Sequence, residues 1–315
     1  MRQMLQTVTD RTLTRGRRAF VIAMALTSLG ALSVASPTMA HAESLQQLFK
    51  PFLAQCPLRQ TEPQKLTQCI WGESSEGSEF VAGKIAVPLN KHIFLQGGSD
   101  FNEVTEHFTY VNTENGNNVV SKVAQPVTGG LTAIVDPSKL SEKELARYNK
   151  VVESGKTGVT ATIELAGPAS SVTLSEEALL LGEGTALGLP VEVKLSNSFL
   201  GGSCYVGTNN NPVVVDMTTG SMPPNGEEPE VKGTTGELEV KDGGVEVNIF
   251  NNQLVNNTYA APGATGCGVR SGADEAVNSA SGLPSPTGHN RVVLHGTLKV
   301  AGAESMAEEL GLEYG

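Results

Sequence analysis

The side chains able to do chemistry in this 315-residue chain are few and scattered. Glu103 and His107 stand four apart, with Asp100 and Glu106 nearby. On a helical turn they would gather on one face as the carboxylate–imidazole set of a zinc or manganese site. The run Phe108-Thr109-Tyr110-Val111 argues instead that His107 enters a strand, which breaks that face, so a solvated acidic loop is preferred. His289 and His295 are six apart and point to one side of an extended segment. Either has the chemistry of a general base, but no nucleophile can be nominated beside it. No Gly-x-Ser-x-Gly elbow, His-Glu-x-x-His helix or EF-hand loop occurs. Gly155-Lys156-Thr157 ends like a phosphate-binding loop, yet Lys150 stands where the motif demands glycine. Neither a cofactor nor a metal is expected.

Paired carboxylates for glycoside hydrolysis need only be close in space, and a chain with 33 acids always offers candidates. Sugar clefts usually display aromatics, and the one tryptophan, Trp71, follows Cys69 closely enough to pack against a disulfide there. Asn209-Asn210-Asn211, Asn251-Asn252 and Asn256-Asn257 suit left-handed turns, which accounts for them without a ligand.

The four cysteines, Cys56, Cys69, Cys204 and Cys267, are the strongest signal. Four allow three pairings; proximity in sequence favours Cys56–Cys69 and Cys204–Cys267. On the chain-entropy model these contribute roughly 3 and 4 kcal/mol. A zinc site is disfavoured, because no Cys-x-x-Cys pair exists and no histidine is near any of the four.

The elements that must position these residues read as an antiparallel β-sandwich or barrel with a few short helices. Glycine is abundant, and short β-patterned runs alternate with turn clusters. Predicted strands are Phe80–Val87, Ile93–Gln96, His107–Val111, Val119–Val123, Leu131–Val135 and Val159–Leu165. Val191–Leu195, Val213–Met217, Gly236–Val240, Val245–Ile249, the neighbourhood of Tyr259 and Val292–Val300 complete the set. Asp242-Gly243-Gly244 is a hairpin turn between two of them. Ser44 opens a short helix that Pro51 ends. Ser141 caps a clearer one, with Glu144 able to reach back, Leu140 and Leu145 as a staple and Gly155 as its stop. Gly220–Gly233, with Pro223-Pro224 and the acids Glu227, Glu228 and Glu230, reads as a long loop within one domain.

An export signal precedes all of this. Arg15, Arg17 and Arg18 form a basic region, an apolar stretch runs from Ala19 to about Val34, and Ala40-His41-Ala42 closes it with small residues. Arg17-Arg18-Ala19-Phe20 also suggests a twin-arginine signal, though no Ser or Thr precedes the pair. Cleavage before Glu43 removes five arginines and one aspartate, taking the net charge from −11 to about −15. Such a surface repels phosphate backbones, so nucleic acid is not an expected partner. No second long apolar run follows, so no membrane span is expected after cleavage.

The stretch from Val193 to Gly207, with Asn197-Ser198-Phe199-Leu200-Gly201-Gly202-Ser203-Cys204 at its centre, resembles a family of uncharacterised secreted actinobacterial proteins. Ala260–Gly268 around Cys267, Gly282-Leu283-Pro284-Ser285 and Val87–Lys91 carry the same resemblance. It implies a secreted protein with four structural cysteines and brings no activity or catalytic residue. The expected organisation is a signal (1–42), an N-terminal helix with a small disulfide loop (43–75), a β-sandwich (76–302) and a C-terminal tail or short helix (303–315). The expected role is a non-catalytic structural or binding protein of the cell exterior, with an extracellular or cell-envelope ligand. A secreted hydrolase, perhaps glycan-directed, and an extracellular inhibitor are the alternatives.

Overall fold

A computed structural model describes Lys50, Phe52, residues 55–59 and residues 66–312, apart from 103–106, 115, 117 and 242–245. The export segment, the Ser44 helix, Glu103, Glu106 and the Asp242-Gly243-Gly244 turn lie outside the described residues. The rest is a mainly β domain of two antiparallel sheets, with short helices and two disulfide bonds.

The first sheet has eight strands. Its order is β12 (Glu237–Lys241), β13 (Glu246–Asn256), β15 (Asn290–Gly302), β1 (Leu66–Ser74), β4 (Phe94–Asn102) and β5 (His107–Val111). The hairpin of β2 (Glu79–Ala82) and β3 (Ile85–Pro88) joins it along the start of β15. The second sheet has seven strands: β14 (Ala264–Thr265), β10 (Gly201–Val206), β9 (Leu187–Asn197), β7 (Thr160–Leu165) and β6 (Gln125–Pro126) in order. Against β9 also lie β8 (Thr173–Leu174) and β11 (Val213–Met217).

Alternation sets which face each strand buries. Ala161 and Ile163 of β7, and Val191, Val193 and Leu195 of β9, are buried beside partly wetted neighbours. These side chains share one core with Ile70, Phe80, Ile249 and Leu298 of the first sheet. A smaller core forms on the other side of the first sheet, where Cys69, Ala301 and Met306 pack with Phe52 and Cys56. Strands β1 and β15 therefore bury residues on both faces. Such strands lose the period-two signal, which is why Leu66–Ser74 reads in the sequence as part of an N-terminal disulfide loop. It lies between β4 and β15, deep in the sheet.

Several expected elements differ. Leu131–Val135 is not a strand; α1 (Gly130–Ile134) forms there, with Gly129 and Gly130 at φ +74° and +58° turning the chain and Leu131 and Ile134 buried three apart. Phe80–Val87 is two strands rather than one, folded back at Gly83, whose amide donates to the Asn290 carboxamide at 2.9 Å. Val119–Val123 makes one bridge, Val120 to Leu95, and no strand forms at Tyr259. Tyr259 instead donates its hydroxyl to the Val81 and Arg291 carbonyls.

The Ser141 helix is α2 (Glu142–Glu153); Ser141 Oγ accepts the Glu144 amide, and Gly155 stands at φ +70°. Glu144 turns to Arg147 at 2.7 Å. On the same face of α2, Tyr148 meets Phe199 edge-on and Arg147 lies over that ring. Among described residues no helix is long and apolar enough to cross a membrane.

The acidic loop from Gly220 to Gly233 is tied to the sheets. Asn257 donates to the Pro223 and Pro229 carbonyls, and Glu228 pairs with Arg291 at 2.7 Å. Of the asparagine clusters, only Asn251 adopts a left-handed φ, +57°. Asn256 and Asn257 act through their side chains as hydrogen-bond clasps.

Candidate functional site: an apolar cavity between the sheets

The two sheets do not close fully on each other. Between them lies a cavity of about 110 Å³. The first sheet supplies Leu95, Leu254, Leu294 and Leu298; the second supplies Ile163, Leu187, Leu189 and Val215. Two glycines explain the space. Gly72 pairs with Leu298, and Gly296 with Ser74, so each stands on the inner face of the first sheet and places no side chain in the gap. Neither can gain one cheaply: a Cβ at Gly296 would sit 2.7 Å from the Glu73 carbonyl, and one at Gly72 3.3 Å from Leu95 Cβ. Leu95, Leu174, Leu189 and Leu294 are only partly buried, so the gap opens to solvent.

One end is strapped. The helix α3 (Glu176–Leu181) starts at Ser175, whose hydroxyl caps the Ala178 amide, and sends Leu179 into the cavity. Its Glu176 accepts from Gln68 Nε2 at 3.1 Å, a bond from one sheet to the helix on the other. Burial raises the Glu176 carboxyl above the ordinary carboxylate range, and the bond from Gln68 offsets only part of that. An acid whose pKa is raised by folding stabilises the fold below its unfolded value and loses that contribution as pH climbs through the folded one. Glu176→Gln keeps an acceptor without the charge, so it should raise the melting temperature by about 2–4 °C near pH 7, the worth of about 1 kcal/mol. Melting curves between pH 4 and 8 should show the gain growing with pH; a gain that shrinks toward pH 8 would refute the assignment.

Polar groups on the lining are few. Glu73 borders the cavity between Gly72 and Ser74, but alternation puts its carboxylate on the other face of β1, where it pairs with His92 beside Phe94. Ser74 Oγ accepts the Ile93 amide at 2.8 Å. Asn252 enters the lining because β13 carries a bulge between Ile249 and Asn252, with Asn251 in the left-handed region. A bulge inserts a residue and re-aims the side chains after it. Among the described residues no Lys, Arg or His lines the cavity.

A wider recess of about 400 Å³ lies around Asp216, Thr218, Thr258 and Tyr259. Its polar groups already serve the fold: Asn256 donates to the Asp216 carbonyl and accepts from Thr258. It offers no comparable enclosure.

The residues singled out by sequence chemistry fall elsewhere. Cys56–Cys69 and Cys204–Cys267 are bonded, at Cα separations of 5.4 and 4.2 Å, and no described cysteine is free. The first joins the 55–59 loop to β1; the second joins β10 to the residues after β14. Trp71 packs on the small core with Cys56 and Cys69, touches the Phe94 ring and takes Lys299 over its face. Asp100 on β4 pairs with Thr109 and His107 begins β5, so these two stand on strands; Glu103 and Glu106 lie outside the described residues. His289 pairs with Glu227 at 3.2 Å, whereas His295 lies beside Gly77, so the two do not converge on one group. Among described residues no three His, Cys, Asp or Glu side chains are grouped to hold a metal.

Sequence reasoning missed the cavity. The available signal was the continuation of the β9 alternation back to Leu187 and Leu189, opposite a strand carrying an inward glycine. Comparison of the chain with protein-family models, with curated proteins and with solved structures finds no match.

Proposed function

We propose that this chain is a non-catalytic binding protein of the cell exterior that holds a small, largely aliphatic molecule between its two sheets. The observation that carries the ligand class is a cavity of about 110 Å³ walled by leucine, isoleucine and valine from both sheets. An engineered apolar cavity of roughly 150 Å³ takes up benzene, so this one encloses a hydrocarbon segment of about four carbons, and the rest of a longer chain runs out through the open side. Concave, mostly apolar spaces with a few polar groups are the usual form of small-molecule sites. Glycoside hydrolysis asks for two facing carboxylates; the one acid of the described lining is Glu73, whose side chain pairs with His92 on the other face of β1.

The basic, apolar and Ala-x-Ala segments of residues 15–42 support the exterior location. The Cys204 and Cys267 stretches support a place among the secreted four-cysteine actinobacterial proteins that they resemble.

Titration of the mature protein with 1-octanol tests the reading. Saturable one-site binding is expected, with a negative heat-capacity change and a melting temperature that rises with ligand concentration. Unsaturable uptake, or an unmoved melting temperature, would count against it.

A further inference from the structure

We infer that the ligand carries a neutral hydroxyl and that Asn252 and Ser74, on either side of Gly296, receive it. This rests on the cavity reading and specifies its ligand. The three residues lie in register across three adjacent strands: Ser74 opposite Gly296 on β1 and β15, and Gly296 opposite Asn252 on β15 and β13. With strands about 4.8 Å apart, Ser74 and Asn252 stand about 10 Å apart at the backbone, flanking a position with no side chain. The result is a polar notch in an otherwise aliphatic wall.

Both flanking groups are deeply buried, each 4 % exposed. Asn252 Nδ2 donates to the Ile249 carbonyl at 3.3 Å, and its Oδ1 accepts from no described residue. An amide oxygen on the cavity lining with no donor from the described residues is open to a donor supplied from the cavity. Ser74 Oγ accepts the Ile93 amide, which leaves its own O–H to give. The notch therefore offers one acceptor and one donor. An alcohol matches both, since its hydroxyl donates once and accepts as well.

Charge selects further. Among the described residues no cation lines the cavity. A fatty-acid carboxylate or a phosphate would have to surrender its hydration with no counter-charge, which costs far more than burying a hydroxyl. The favoured class is thus a neutral aliphatic alcohol, with its chain along the leucine walls and its oxygen over Gly296.

Binding of 1-octanol, methyl octyl ether and octanoate should be measured by calorimetry on the mature protein. Octanol should bind about 3–10-fold tighter than the ether, which cannot donate, as one net neutral hydrogen bond implies. Octanoate should bind weakest. Asn252→Leu should bring octanol and ether within twofold of each other, with a melting curve on the same protein reporting an intact fold. Ser74→Ala should narrow the preference by a smaller factor. Equal affinity for octanol and ether in the unaltered protein, or tightest binding of octanoate, would overturn the notch and leave the cavity reading standing. Failure of all three to bind would overturn the cavity reading itself.

Discussion

Val215→Trp should abolish binding of 1-octanol and leave a folded protein. Val215 lies on β11 with its side chain on the cavity wall, opposite Leu189 on β9. An indole there occupies volume comparable with the cavity. Displacing even three methylenes from contact costs about 2.4 kcal/mol, roughly a 50-fold loss in affinity. Overpacking a tight core usually destabilises by about 1–3 kcal/mol, but a substituent that enters an existing void meets less of that penalty. The measurement pairs octanol titration with a melting curve. Retained affinity in a folded Val215→Trp protein would place the ligand elsewhere, whereas lost affinity with an unchanged melting temperature would locate it between the sheets.

The second large effect concerns stability alone. The Cys204–Cys267 bridge closes a loop of 63 residues and is fully buried. The chain-entropy relation puts its contribution near 4 kcal/mol. Replacing both cysteines by serine should therefore lower the melting temperature by roughly 10 °C. Neither cysteine lines the cavity, so octanol affinity measured well below the transition should be unchanged. A shift of under 3 °C would show that the packing around β10 and β14 holds without the bond.

What the sequence discloses follows a physical rule. Strands with one wet face, such as β7 and β11, match their expected ranges to within a residue, because alternation is visible in the residue types. The cap at Ser141 is equally local, and it forms. Elements fixed by distant partners are not legible. Helix α1 was hidden because Leu131, Thr132, Ala133 and Ile134 fit either period, and the two preceding glycines decide the matter. β1 was hidden because both its faces are covered. The cavity is less legible still. It depends on Gly72 and Gly296 meeting leucines from another sheet, and on a bulge at Asn251 that turns one amide inward. Reading Asn251 and Asn252 as turn formers gives the right backbone conformation for the first and conceals the entry of the second into the cavity lining.

The placement of β15 has a consequence for biogenesis. This strand is hydrogen-bonded to β1 on one side and β13 on the other, with Ile70 opposite Val300. The first sheet thus joins the first described strand to the last, and no partial chain ending before β15 can assemble its middle. Pairings so remote in sequence form slowly, since the closure entropy falls due before any contact repays it. A nascent polypeptide of this design leaves the ribosome with its largest sheet still in two pieces.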